Sequence, residues 1–321
     1  MNTAYLRWYY GYQNFGDELL LFWIIEYLIT TYKLEKLIVE VGNKKWIEKW
    51  VHINLESRIQ NLELRDKVEF VEIKQHRYRR LTHVMNLIGL GKYKHMFKFF
   101  GGGEVLSDER PFPHDGRNIP LLFNWTVRRW EFILIGWIGT PKKRRSRLLY
   151  KDLLHRAKEL VIRDQISLRV VQSAEYKVPS TKTKLYEDFS LEVLRSCQSR
   201  IQNLESRIQH YMLVNINTAT CTSDNIHKIQ LFCQERPDHK IIYFPCDMDD
   251  DYHCFDTVKS AIPEIEMYDW TKYSLQQTIQ LFLHTEAGIG SRLHFLLPLK
   301  FFNKPFQSIA KAEKVHKMID A

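Results

Sequence analysis

No stretch of the 321 residues supplies the ~20 uncharged apolar positions of a membrane span. The best window, 119–138, is broken by Arg128, Arg129 and Glu131. A leader sequence is not expected either, because Arg7 and the turn residues from Gly11 interrupt the apolar start, so a cytoplasmic location is the expectation. Cysteine is scarce: Cys197, Cys221, Cys233, Cys246 and Cys254 form no C-x-x-C pair at zinc spacing. They read as structural thiols, and no metal centre is expected. The G-x-G-x-x-G spacing of a dinucleotide site is missing, which argues against NAD. Asp247, Asp249, Asp250 and Asp251 lack the glycine and glutamate that a calcium loop requires, and read as a loop and helix cap.

Hydrophobic residues make up 45% of the chain and charged residues 26%, the balance of a globular protein with a sizeable core. The length suits two domains. A net charge of +9 implies an anionic partner, but no nucleic-acid module is recognisable, so phosphorylated small molecules and anionic lipid are the remaining classes. The densest basic run, 141–147, reads first as a solvated loop and helix start. Peripheral contact with an anionic membrane, worth ~1 kcal/mol per cation, is its second reading.

Strand-like runs at 4–10, 37–41, 68–73, 96–100, 132–138 and 160–162 alternate with helical segments such as 19–29 and 147–158. This is the pattern of a parallel, doubly wound α/β sheet. A second α/β unit starts at 211–216 and continues through 224–234, 240–244, 265–268, 274–283, 286–289 and an apolar helix after Ser291. The expected organisation is a domain over 1–190, a linker over 191–210 and a second domain over 211–321. The linker carries a seven-residue repeat, Ser-Arg-Ile-Gln-Asn-Leu-Glu at 199–205, which also occurs at 57–63. About two heptads are too few for a coiled coil, so both copies read as tolerated surface insertions. Deleting 199–205 is expected to leave activity nearly intact.

Four constellations could carry chemistry. Gly11-x-x-Asn14-x-Gly16-Asp17-Glu18 lies between a strand and a helix, where glycine lets main-chain N–H groups approach a ligand and the helix start favours anions. A plain βα turn capped by Asp17 is the equal alternative. Gly101-Gly102-Gly103 follows a strand, at the edge where open α/β sheets place ligands, and a plain turn needs one glycine and not three. Arg163-Asp164-x-x-Ser167 also follows a strand, and by itself could be a local ion pair and helix start. In Gly288-x-Gly290-Ser291-Arg292-Leu293-His294, Ser291 reads as N-cap with Arg292 and His294 in the first turn. Cations there oppose the helix dipole, which points to a compensating bound anion.

In this order the pieces resemble the polysaccharide pyruvyltransferase family: Tyr10-Gly11 with Asn14 and Gly16-Asp17-Glu18, Gly101-Gly102-Gly103, Gly139 and Pro141, Arg163-Asp164 with Ser167, Asp188-Phe189, and Ser291-Arg292-Leu293-His294. Two departures stand out. The family's usual Gly-Asn start of the first loop is here Gln13-Asn14, and the proline common after Asp188 is Phe189. The resemblance implies two Rossmann-like domains facing across a cleft, as in GT-B glycosyltransferases, and transfer of a pyruvyl group from phosphoenolpyruvate to a sugar diol, free or lipid-linked, in surface polysaccharide biosynthesis. No cofactor is expected, since phosphoenolpyruvate is a substrate. The resemblance puts Arg163 and Arg292 at the donor, and Arg offers a planar fork for carboxylate or phosphate. His294 is the candidate acid and Asp17 the candidate base or acceptor-orienting group. Gly11, Asn14, Gly16, Gly101, Gly102, Gly103, Ser291 and Leu293 complete the substrate-binding set. A glycosyltransferase using a nucleotide sugar, and a non-catalytic binding protein on the same fold, are the alternatives.

Overall fold

The computed structural model describes residues 3–58, 66–72, 97–106, 132–201 and 210–320. Most of the two heptad segments, 59–63 and 202–209, lies outside the described residues, as does 119–131 of the apolar window. No helix among the described residues is long and apolar enough to cross a membrane.

Two all-parallel sheets organise the chain. The first contains β1 (Thr3–Tyr10), β2 (Lys36–Val41), β3 (Val68–Glu72), β4 (Phe97–Leu106), β5 (Phe132–Ile138), β6 (Glu159–Ile162) and β7 (Thr183–Leu185), in the order β3-β2-β1-β4-β5-β6-β7. Helices α1 (Phe15–Thr31), α2 (Lys44–Arg58), α3 (Arg144–Arg156), α4 (Gln165–Gln172) and α5 (Phe189–Ile201) alternate with these strands. All seven residues of β5 are buried, as expected of a central strand covered on both faces. Helix α1 is apolar nearly all round and correspondingly buried, from Leu19 to Ile29 apart from Glu26. Within the first unit Trp23 stacks on Phe189 at 4.0 Å between ring centroids and on Tyr27 at 4.7 Å. Phe189 thus fills the core where the family commonly carries a proline.

The second sheet contains β8 (Tyr211–Val214), β9 (Lys240–Tyr243), β10 (Glu266–Met267), β11 (Ala287–Gly290) and β12 (Phe306–Ser308), in the order β10-β9-β8-β11-β12. Its helices are α6 (Ser223–Gln234), α7 (Phe255–Ala261), α8 (Leu275–His284), α9 (Leu293–Phe301) and α10 (Glu313–Asp320). Met212, Val214, Ile241, Ala287 and Ile289 from its strands pack with Ile229, Phe232 and Val258 from its helices. In both sheets the winding reverses next to the first strand, between β1 and β4 and between β8 and β11. Such reversal points leave a crevice at the strands' carboxyl ends, where ligands bind in this class of sheet.

By contacts the chain divides into one unit of residues 1–11, 20–48 and 61–189 and a second of residues 12–19, 49–60 and 190–321. The first turn of α1 therefore packs with the second sheet, a placement that reading the chain as consecutive domains does not anticipate.

Candidate active site

The segment 12–19 is held in the second unit by both backbone and aromatic packing. Phe15 N donates to Cys246 O at 2.6 Å, and Met248 N donates to Gln13 O at 3.1 Å. The Phe15 ring sits edge-on to Phe244 and Trp270 and stacks with Phe282. Asn14, and not Asp17, receives the helix start: its Oδ1 accepts from Asp17 N at 3.4 Å and its carbonyl from Glu18 N at 3.0 Å. Asn14 Nδ2 also donates to Asp247 Oδ2 at 3.0 Å. Asp17 falls in the first turn of α1, half-buried. Gln13 adopts φ 60, a left-handed conformation that glycine takes without cost.

Gly16 is buried against His294. A Cβ at residue 16 would overlap the imidazole, lying 2.5 Å from Cγ and 2.7 Å from Cε1. The absence of a side chain at one position thus creates the seat for the ring of the other. His294 itself lies in the first turn of α9, half-buried.

The N-cap of α9 is Arg292, one residue later than the sequence suggests, and Ser291 precedes it, buried. Arg292 N donates to Asn215 Oδ1 at 3.1 Å, so the turn after β11 is tied to the residue that follows β8. The guanidinium meets anions, but they are the chain's own: Nε and Nη2 donate to Asp251 Oδ1 at 2.9 and 2.6 Å, and Nη2 also pairs with Asp250. This corrects the inference that a cation at this helix start signals an external anion. It also corrects the reading of 247–251 as only a loop and cap. Asp251 is fully buried, and its Oδ2 accepts from Asn215 Nδ2, from Cys246 N and from Asp247 N. Burial pushes the Asp251 carboxyl above the usual carboxylate range, while the Arg292 charge and hydrogen bonds and the Asn215 amide pull it back.

Gly288 and Gly290 prove to be packing positions. A Cβ at Gly288 would lie 2.5 Å from Leu299 Cδ1, and one at Gly290 2.6 Å from Phe295 Cε1, so the two glycines admit α9 onto β11. Leu293 is buried at the start of the same helix.

The remaining predicted residues belong to the first unit. Gly11, at the end of β1, has φ 74 and accepts from Asn43 N through its carbonyl. Gly101, Gly102 and Gly103 do not follow their strand but lie inside β4, where the pairing with β5 shifts register between Gly101 and Glu104. A β-bulge accounts for at least two of them. Gly101 and Gly102 have φ 129 and 148, a Cβ at Gly102 would lie 3.1 Å from Tyr10 Cζ, and the Tyr10 hydroxyl donates to Gly101 O.

Arg163 follows β6 and is buried, 3.4 Å from Asp188 through Nη1. Its Nε and Nη1 have no hydrogen-bond acceptor among the described residues. Asp164 is instead the N-cap of α4: its carboxylate accepts from Ser167 N and Oγ, both at 2.7 Å, and Ser167 Oγ accepts from Ile138 N. A buried guanidinium with uncommitted donors is costly unless something accepts from it.

Sequence reading missed Asn215, Asp250 and Asp251 as site-building groups. Asn215 carries no motif signal. The acidic run was visible, but its partner Arg292 lies 41 and 42 residues away.

No curated protein matches the chain. Among solved structures, it is similar to UDP-GlcNAc 2-epimerase from Neisseria meningitidis bound to UDP-GlcNAc, with TM-score 0.61, 8% identity, and coverage of 100% of this chain and 86% of that one. It is also similar to Methanocaldococcus jannaschii UDP-GlcNAc 2-epimerase in complex with UDP-GlcNAc and UDP, with TM-score 0.60, 12% identity, and coverage of 96% and 83%. A glycosyltransferase from Rickettsia africae gives TM-score 0.52 at 10% identity, with coverage of 98% and 81%. At such identities the likeness concerns fold, which is the two-domain GT-B-like α/β arrangement. The model of the family described as polysaccharide pyruvyl transferase matches residues 14–298, spanning the segment from Asn14 through the Ser291-Arg292-Leu293-His294 turn. The chain belongs to the polysaccharide pyruvyl transferase family.

Proposed function

We propose that the protein transfers a pyruvyl group from phosphoenolpyruvate to a pair of sugar hydroxyls, forming a ketal and releasing phosphate, as a step in surface polysaccharide synthesis. The observation that carries this reading is the seating of His294 on Gly16 beside Arg292, at the carboxyl end of the second sheet where its winding reverses. The donor carries a carboxylate and a phosphate, so its site calls for cations and main-chain N–H groups. Arg163, which the family resemblance puts at the donor, is buried in the first unit and paired with Asp188. Arg292 is already half-committed to Asp250 and Asp251, which fix its orientation, so its contribution to the donor is positional as much as electrostatic.

In the proposed reaction His294 gives a proton to the methylene carbon, leaving a cationic carbon that still bears carboxylate and phosphate. One sugar hydroxyl attacks that carbon and loses its proton to Asp17. The second hydroxyl closes the ketal as the carbon–oxygen bond to phosphate breaks. The proton taken by Asp17 passes on to restore His294, and that of the second hydroxyl leaves with phosphate, so protons balance over a turnover. General acid catalysis of this kind supplies roughly 10²–10⁴ in rate.

The nucleotide-sugar complexes of the structural neighbours favour one competing reading, a nucleotide-sugar transferase. Thermal unfolding with each ligand separates the two, since a ligand bound only by the folded chain raises its midpoint. The proposal expects stabilisation by phosphoenolpyruvate. Stabilisation by UDP- or GDP-sugars alone would favour the competitor.

A further inference from the structure

The second sheet carries a separate cluster at the amino ends of its strands, opposite the edge described above. His210 immediately precedes β8, His239 immediately precedes β9, and Glu286 immediately precedes β11. These strands are adjacent, in the order β9-β8-β11. Their register pairs Tyr211 with Lys240 and Met212 with Ala287, which puts His210 level with His239 and sets Glu286 one residue further along, level with Tyr211. Adjacent strands are about 4.8 Å apart, so side chains at strand entries staggered by one residue are within reach of each other. Main-chain hydrogen bonds fix the level: Lys240 N donates to His210 O at 3.0 Å and Glu286 N to Tyr211 O at 3.1 Å.

The side chains converge on the carboxylate. Glu286 Oε1 pairs with His210 Nδ1, and Oε2 lies 2.9 Å from His239 Nε2. One ligand atom from each residue lies within 4.8 Å of the others. The imidazole rings are 5.6 Å apart and steeply inclined, presenting edges and not faces to the shared acid. Two imidazole nitrogens and one carboxylate oxygen form a borderline donor set, suited to zinc and its neighbours in the first transition row and poorly suited to magnesium or calcium. Three protein ligands leave a fourth position for water. His210 and Glu286 are exposed enough for an ion to enter, whereas His239 is 17% exposed and anchored.

We infer that His210, His239 and Glu286 bind a zinc-class divalent cation at the amino edge of the second sheet. Such an ion would clip together β9, β8 and β11 at their entries, and its role would be to stabilise that unit. Binding is coordination alone: His210 Nδ1, His239 Nε2 and a Glu286 oxygen turn from one another to the ion, with no change of oxidation state.

Isothermal titration of the full chain with Zn²⁺, and visible absorption with Co²⁺, test this inference. The expected result is one saturable Zn²⁺ site and a Co²⁺ spectrum lacking sulfur charge-transfer bands, which excludes Cys221 and the buried thiols as ligands. Glu286→Gln and His239→Ala should each weaken binding by roughly a hundredfold, a loss at the upper end of that seen for groups that merely support a ligand. His210→Ala, at the most exposed position, guards against a folding defect, and the thermal midpoint in chelator should match wild type for all three. Absence of saturable binding, thiolate bands, or undiminished affinity in the variants would overturn the site.

Discussion

The imidazole of His294 occupies the volume that any side chain at residue 16 would require, so the first βα loop and the last motif of the family pattern are fitted to each other through a missing Cβ. Gly16→Ala must therefore push the ring aside. The substitution should cost about 1–3 kcal/mol of stability through overpacking. Turnover should fall on the order of 100-fold, as small displacements of a reacting group do. Comparison of kcat with the urea midpoint checks this; normal turnover would show that the position of the ring is immaterial.

Gln13 provides the reverse case. Its φ of 60 places a non-glycine residue in the left-handed region, at the position where the family usually has glycine. Left-handed backbone costs an L-residue roughly 1–2 kcal/mol, partly offset because glycine is freer when unfolded. Gln13→Gly should raise stability by about 0.5–1 kcal/mol in urea denaturation while leaving activity within a factor of two or so.

Asp251 and Arg292 form the charged core of the site-bearing unit. Asp251→Asn keeps the shape but removes the charge and turns an acceptor into a donor facing Arg292. The expected loss is about 3–5 kcal/mol, because a largely buried guanidinium loses its main counter-charge. Arg292→Met in the same chain should recover part of it, since removing both charges avoids the uncompensated one. A double-mutant cycle by chemical denaturation measures the coupling.

His284 supplies a pH dependence of known sign. Burial, with Lys304 nearby, lowers its pKa from 6.5. Its neutral form is therefore favoured by folding, so its contribution is fully present above pH 6.5 and is lost as pH falls through the lower folded value. Wild type should lose stability on acidification below pH 6.5 more steeply than His284→Gln. Parallel urea midpoints across that range would reveal the difference.

Much of this architecture is legible in the sequence because parallel strands buried on both faces read as continuous apolar runs. The run 132–138 matches β5 residue for residue, and 274–283 differs from α8 by one position because Ser274 is its N-cap. The three-residue polar strand β7 has too little apolar pattern to announce itself, whereas α2 carries a buried stripe of Ile47, Trp50 and Val51 at helical spacing that the sequence reading did not use. The glycine motifs are legible as positions but not as roles. Gly288, Gly290 and Gly102 admit Leu299, Phe295 and Tyr10, contacts set by tertiary packing that local pattern does not encode. The same holds for Arg292, whose charge was visible and whose counter-ions were not, and for His210, His239 and Glu286, which the sheet register brings together across 47 and 76 residues of chain.

The proposed reaction is tested most directly by its product. Purified protein is incubated with phosphoenolpyruvate and a panel of free and lipid-linked hexose acceptors, with phosphate release and the mass of the acceptor followed together. Acceptor-dependent phosphate release, a pyruvyl ketal on the sugar, and loss of both in His294→Ala at an unchanged thermal midpoint are expected. Formation of the ketal at near wild-type rate by His294→Ala, or consumption of a nucleotide sugar with phosphoenolpyruvate untouched, would contradict the proposal.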